Sequence, residues 1–187
     1  MSDTKFKTLD DLLKRDLDVV FVGINPSIYS VEHGHYFARP GNRFWPCLSR
    51  SKLSTKAREA LRVDILTPAH DRALQKFGIC FTDVAKRPTA KASDLPLREL
   101  AAGVDALLDK LKRFKPRVAC FHGITGYRHV HDLLTDESTV AKHGFQPLQL
   151  GETRIYLAPN PSGANAHFTR EDQVRAYDDI SKWLGRT

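Results

Sequence analysis

Cysteine is scarce in this 187-residue chain, which has three, at Cys47, Cys80 and Cys120. They are odd in number and far apart, without the short spacings of zinc sites or iron–sulfur clusters. Cys80 and Cys120 fall in apolar runs, where a free thiol behaves as a small hydrophobe. Long apolar runs are missing too, and none approaches the roughly 20 residues a membrane-spanning helix needs. The first turns of sequence mix Lys and Asp without a continuous apolar stretch, so no secretory signal is expected. The pattern Gly-x-x-x-x-Gly-Lys-Ser/Thr does not occur, which speaks against a nucleotide triphosphatase. Internal repeats, low-complexity tracts and linker-like shifts are likewise absent, so residues 1–187 are expected to form a single soluble, cytoplasmic domain.

What remains is the composition of an ordinary globular domain, 41% hydrophobic and 27% charged. Such a chain is neither disordered nor fibrous, and it can bury a core without metal or disulfide support. Lys and Arg number 29 against 22 Asp and Glu, a net charge of +7. That surplus suits a phosphate-bearing partner without identifying one.

Hydrophobic patterning gives the fold class. The segment from Thr8 to Arg15 has a capping residue, early acids and late bases, and reads as a short helix. Val19 to Val22 is a buried strand ending at Gly23. Asn42 is placed to cap a helix carrying Phe44, Trp45 and Leu48, and Thr67-Pro68 opens a helix that ends near Gly78. Ile79 to Phe81 is a short strand. From Leu97 to Leu111 the apolar positions recur at three and four, the clearest amphipathic helix in the chain. Val118 to Phe121 is a strand ending at His122-Gly123, with a helix beyond it, and Arg154 to Ala158 is another. Thr169 with Asp172 forms a capping box for a last helix, which Gly185 ends. Alternating strands and helices predict an α/β fold with a mainly parallel sheet covered on both faces.

In such sheets ligands gather beyond the carboxyl ends of the strands. Two strands here run into charge-poor loops, Gly23-Ile24-Asn25-Pro26-Ser27 and Pro159-Asn160-Pro161-Ser162-Gly163, each containing Asn-Pro-Ser. Proline fixes the backbone, glycine permits close approach, and Asn or Ser offers short polar reach. The same residues also make ordinary turns. The eight histidines include the close pairs His33/His35 and His129/His131. On a helix that spacing points the rings apart, and no acid or cysteine set completes a tetrahedral site, so no metal is expected. Gly123 to Gly126 with Tyr127 and Arg128 reads either as a phosphate cradle or, more commonly, as a turn opening a helix.

Four segments together carry a specific resemblance. Gly23 to Ser27, then Phe37-Ala38-Arg39-Pro40-Gly41-Asn42-Arg43-Phe44-Trp45, then Thr82-Asp83-Val84-Ala85-Lys86-Arg87-Pro88-Thr89, then Asn160 to Gly163 are similar to the mismatch-specific uracil/thymine-DNA glycosylase family. The order matches and the spacing is similar, over residues 18–184. The resemblance implies the three-layer α/β/α sandwich of uracil-DNA glycosylases and a DNA partner carrying a G:U or related mismatch. It also implies a monomer without cofactor, cytoplasmic and on the nucleoid when bound to DNA. The activity implied is hydrolysis of the bond between a flipped uracil and its deoxyribose, with thymine or other altered pyrimidines as further substrates, in base-excision repair. No lysine is placed as an amine nucleophile, so the expected product is an abasic site without strand cleavage.

The resemblance also assigns roles. Asn25 would hold the attacking water, and Phe37, beside Tyr36, would stack on the flipped base. Backbone groups around Ile24 and Phe37, with Asn160 and Ser162, would contact the base. Ser27, Arg39, Lys86, Arg87, Gly163, Ala164, Asn165, His167 and Arg170 would face DNA. Arg43, Phe44 and Trp45 are expected to pack the pocket wall. Relatives present a bulky residue and an Arg where this chain has Ala164, Asn165, Ala166 and His167, so opposing-base discrimination is expected to be relaxed and single-stranded DNA accepted. Asp83 is a second departure, an acid where several relatives carry an uncharged or basic residue. It could deprotonate water or stabilise a cationic sugar, or it could be a loop acid paired with Lys86 or Arg87. Two alternatives stand: a related glycosylase of deaminated purines such as hypoxanthine, and a non-catalytic nucleic-acid-binding protein. The second has no need of polar side chains such as Asn25 and Asp83 at strand ends.

Overall fold

The computed structural model describes residues 6–15, 17–135 and 141–186. Among these, strands β1 (Val19–Gly23), β2 (Ile79–Asp83), β3 (Val118–His122), β4 (Gly144–Leu150) and β5 (Thr153–Ala158) form one sheet in the order β2-β1-β3-β5-β4. The first four in that order run parallel, and β4 is antiparallel to β5 at the edge. The helices are α1 (Ile28–His33), α2 (Phe44–Arg50), α3 (Thr55–Leu61), α4 (Asp71–Leu74), α5 (Leu97–Phe114), α6 (Ile124–Leu134) and α7 (Arg170–Trp183).

Side chains alternate across a strand, and the apolar residues of these strands sort accordingly. Phe21, Phe81, Cys120 and Tyr156 face one core with α2 and α7. Val22, Cys80, Phe121 and Leu157 face another with α5 and α6. Burial on both faces explains why the strands read as continuous apolar runs. The chain leaves β1 for β2 on one side and returns across to β3 on the other. The carboxyl ends of β1 and β3 therefore flank a switch point, the usual seat of a ligand in an open α/β sheet.

Several sequence expectations are corrected. Residues 8–15 form no helix; Leu12 exchanges backbone hydrogen bonds with Phe81 at 2.9 and 3.1 Å, and Leu9 and Leu12 are buried. The segment seals the open edge of β2, and that pairing outweighs a weak local helix signal. The helix from Thr67 is a 3-10 turn, the single turn α4 and a second 3-10 turn, ending as expected at Gly78 in the left-handed region, φ 73°. Asn42 lies one residue before the helix cap, yet its Oδ1 still accepts the Phe44 amide at 2.8 Å. α1, α3 and β4 lie where the sequence showed no element. β4 contains Pro147, which fits only at a sheet edge, where a missing N–H costs nothing. The remaining elements agree in type and lie within three residues of the expected bounds, β2 running on to Asp83 and α5 to Phe114, and the capping box of Thr169 with Asp172 is present.

Candidate active site

Parallel register sets the floor of the site. Gly23 pairs with Asp83, His122 pairs with Ala158, and Val22 pairs with Phe121. Asp83, Gly23 and His122 are thus level at the carboxyl edge and share the face of Phe21 and Phe81. Gly23 has to be a glycine here, because a Cβ would lie 2.4 Å from Asp83 Oδ1. Above this floor opens a cleft of about 240 Å³, lined from β1 by Gly23 to Ser27 and from β2 by Asp83 and Thr89. Tyr36, Phe37, Arg39, His122 and Asn160 to Ser162 complete most of the wall.

Strand β2 extends two residues beyond the sequence expectation, which places Asp83 on the strand and not in a loop. It is 3% exposed, and its Oδ2 has no hydrogen-bond partner among the described residues. Burial pushes its carboxyl up to about 7, with Lys86 pulling it back and Asp11 adding to the rise. The reading of Asp83 as a loop acid paired with a neighbouring base is overturned. Lys86 bonds Asp11 at 2.9 Å, and Arg87 bonds Glu99 at 3.0 Å. Both cations stand off the cleft wall with their charge already opposed.

Asn25 is fixed through its nitrogen. Nδ2 donates to the Arg87 carbonyl and to Thr89 Oγ1, each at 2.8 Å. A carbonyl acceptor demands the NH₂ group on that side, so Oδ1 is the atom left for the cleft. The neighbouring Ser27 hydroxyl caps α1, accepting the Ser30 amide at 3.1 Å. Ile24 gives its carbonyl to the Ala85 amide at 2.8 Å and rests its side chain over Gly126. That packing, with Tyr127 buried in the core, makes Gly123 to Gly126 a helix start and not a phosphate cradle.

Phe37 is held at φ 53°, a conformation bulky residues rarely adopt. Its ring lies on Phe44, centroids 4.2 Å apart and nearly parallel, so it offers its opposite face and edge to the cleft. Tyr36 is buried; its amide donates to the Asp71 carboxylate and its hydroxyl to the Asp10 carbonyl, each at 3.1 Å. The same hydroxyl lies against the Asp83 carboxyl and works against its rise.

The loop after β5 is braced by its own polar side chains. Asn160 Oδ1 accepts the Ser162 amide at 3.0 Å, and Asn165 Oδ1 accepts the His167 amide at 3.1 Å. Arg43 pins the loop from α2, donating through its side chain to the Phe168 carbonyl at 2.6 Å and through its amide to the Pro161 carbonyl at 2.8 Å. Gly163 passes so close to Gly41 that a Cβ would sit 2.7 Å from the Gly41 carbonyl oxygen. Gly163, Ala164, Ala166 and His167 are exposed at the tip. Arg39 and Arg170 are exposed as well, with no ion pair among the described residues.

Sequence reasoning did not single out His122 or Thr89, and it gave Arg43 a wall-packing role in place of the loop-pinning one the hydrogen bonds show. His122 is buried on the cleft wall, bonded through Nε2 to the Tyr177 hydroxyl at 3.0 Å. Burial takes it down to about 3, so the ring is neutral. Its signal was its place, last on a strand before glycine, but its neighbours depend on strand order. Thr89 and Arg43 anchor Asn25 and the loop through partners 64 and 125 residues away.

A family model described as the uracil DNA glycosylase superfamily matches residues 11–183. Among curated proteins, a G/U mismatch-specific uracil DNA glycosylase of Schizosaccharomyces pombe is 29% identical over 170 residues, 89% of this chain and 50% of the relative. The chain thus spans about half the length of that relative. Among solved structures, a solution NMR structure from Methanosarcina acetivorans, described as "a putative Uracil DNA glycosylase", superposes with a TM-score of 0.61. It shares 19% identity, with 96% of this chain and 98% of that chain covered, and so speaks to the fold.

Proposed function

This chain belongs to the uracil DNA glycosylase superfamily, and from that premise we propose that it is a monofunctional glycosylase that flips uracil out of DNA and hydrolyses its glycosidic bond. The observation that carries the reading is the pairing of two polar groups over one floor. Asn25 is anchored with its carbonyl oxygen turned to the cleft, and the Asp83 carboxyl is buried beside it. A non-catalytic DNA-binding protein would gain nothing from burying there a carboxyl whose Oδ2 has no hydrogen-bond partner among the described residues, and would lose stability by it.

The chemistry follows from those positions. The base stacks on Phe37, and Asn25 Oδ1 accepts a hydrogen bond from the water that attacks C1′. As the glycosidic bond breaks, its electron pair leaves with the base and the sugar gains positive charge. The Asp83 carboxylate stabilises that charge and takes a proton from the water. A base acting near its own pKa works best close to neutral pH, which is where burial has put Asp83. No lysine lines the cleft among the described residues. Water is therefore the nucleophile, and the product is free base and an abasic site.

DNA is the proposed partner, held by a monomer through Arg39, Arg170 and the tip of the 160–167 loop. The small side chains Ala164 and Ala166 plug a vacated stack poorly, so excision opposite adenine and from single strands is expected beside excision opposite guanine. The test is a set of end-labelled oligonucleotides carrying one uracil, thymine or hypoxanthine opposite each base, treated with protein and then with alkali. Cleavage at uracil with intact strands before alkali supports the reading. No alkali-labile site on any substrate contradicts it, and cleavage mainly at hypoxanthine moves the enzyme to deaminated purines.

A further inference from the structure

We infer that Asp71 is a positioning residue that holds the Phe37 ring in its base-stacking place by anchoring the backbone just ahead of it. The inference deepens the glycosylase reading and rests on it, since Phe37 stacks on a base only if a base enters the cleft. Phe37 sits at φ 53°, a backbone state that a bulky residue keeps only where its surroundings enforce it. The chain is tied down on both sides of it. The Tyr36 amide donates to Asp71 Oδ2 at 3.1 Å, the Tyr36 carbonyl accepts from the Trp45 indole at 3.0 Å, and the Ala38 amide donates to Ser30 Oγ at 3.2 Å. Ser30 and Trp45 belong to α1 and α2, which flank the segment in sequence, whereas Asp71 reaches Tyr36 from α4, 35 residues on.

Asp71 is 1% exposed, and a buried carboxylate is costly unless its oxygens are bonded. Its local turn accounts for one of them. Oδ1 accepts the Arg72 amide at 2.6 Å and faces His35 Nδ1 at 3.2 Å. That leaves Oδ2 for the Tyr36 amide, and a bond to a charged acceptor is stronger than one to a neutral group. Without it the peptide ahead of Phe37 is free to turn, and φ relaxes toward the negative range that non-glycine residues prefer. The ring then leaves the face of Phe44, on which it now lies with centroids 4.2 Å apart and 16° from parallel. A stacking surface displaced by about an ångström misplaces the base against Asn25 and Asp83, and rates are sensitive to such shifts. Asp71 does not line the cleft, so its effect on the reaction passes through Phe37.

A double-mutant cycle with the full chain tests this, comparing the wild type, Asp71→Ser, Phe37→Ala and the two combined, each checked for folding by its melting transition. Serine keeps a hydroxyl for the Arg72 amide but is too short to reach Tyr36. Two quantities are read. One is the single-turnover rate of uracil excision from a G:U duplex at saturating protein. The other is affinity for a duplex carrying an abasic site, which offers no base to stack. Asp71→Ser is expected to slow excision about 10- to 50-fold while abasic-site affinity stays within about twofold of wild type. In the Phe37→Ala background the same substitution should cost less than about twofold, because the ring it positions is gone. Asp71→Asn, with one acceptor oxygen in place of two, should fall between wild type and Asp71→Ser.

A rate loss of the same size with and without the Phe37 ring, or no loss at all, overturns the inference while leaving the glycosylase reading intact. So does a fall in abasic-site affinity that matches the fall in rate, which would mean that Asp71 supports the DNA-binding surface at large. If the serine variant does not fold, Asp71→Asn takes its place in the cycle, with the same coupling to Phe37 expected and the same results overturning it. A wild type that excises no uracil defeats the reading on which the inference stands, and defeats it before any variant is compared.

Discussion

Asp83 is asked to do two things that conflict. Its carboxyl is raised from 3.8 to about 7 by burial, so the folded protein holds this proton more tightly than the unfolded chain does. The stability linked to it is fully present below about pH 4 and is lost as pH rises through about 7. Asp83→Asn has no such loss. Its melting temperature should exceed that of wild type at pH 8, and the advantage should shrink by about 2 kcal/mol between pH 8 and pH 5. Differential scanning calorimetry at the two pH values reads this directly, and equal shifts at both would contradict it. Activity moves the other way. In the proposed mechanism the ionised form is the working one, so kcat/KM of the wild type should rise through an apparent pKa near 7, while Asp83→Asn should be flat and about 100-fold or more lower. Asp83→Asn should therefore be more damaging than Asn25→Ala. A wild-type profile without that step would remove Asp83 from the chemistry.

Elements position these residues by joining loops that are distant in sequence. The Asn25 amide is held by Arg87 and Thr89, which lie between β2 and α5. Thr89→Val removes one of its acceptors and leaves the amide freer to turn, so kcat should fall about 10-fold with DNA affinity nearly unchanged. Arg43 does the same for the loop after β5. Arg43→Ala should speed hydrogen exchange of the 162–168 amides about 10-fold while lowering overall stability by about 1–2 kcal/mol. Unchanged exchange there would show that the loop braces itself through Asn160 and Asn165. At this scale the sequence was informative where periodicity is strong, as in α5, α7 and the four parallel strands. It was misleading at residues 8–15, whose cap and charges suit a helix but whose leucines serve a sheet edge. It was silent on β4, because Pro147 interrupts the pattern and only the partner β5 defines the strand. Motif order directed attention to Phe37, Asn25 and Asp83, and all three line the cleft, whereas His122 was not singled out, since its place depends on which strands are neighbours.

For the molecule as a whole, only a small part of the surplus of seven positive charges can be assigned to the site. Lys86, Lys110 and Arg87 are opposed by Asp11 and Glu99, which leaves Arg39 on the cleft wall and Arg170 at the start of α7 among the exposed cations nearest the site. Binding through such contacts should weaken steeply between 50 and 200 mM salt, and Arg39→Ala should lower the salt slope by about one without changing base preference. Affinity from charge and selection from the cleft are separable in that way. The central claim is that the cleft over Gly23 is where a base is cut from DNA. Its most direct measurement is single-turnover release of uracil from a G:U duplex by the wild type and by Asn25→Ala combined with Asp83→Asn. The account predicts abasic sites with the wild type and a loss of at least about 1,000-fold in the double variant, folded and still bound to the duplex. Equal rates from the two proteins would contradict it.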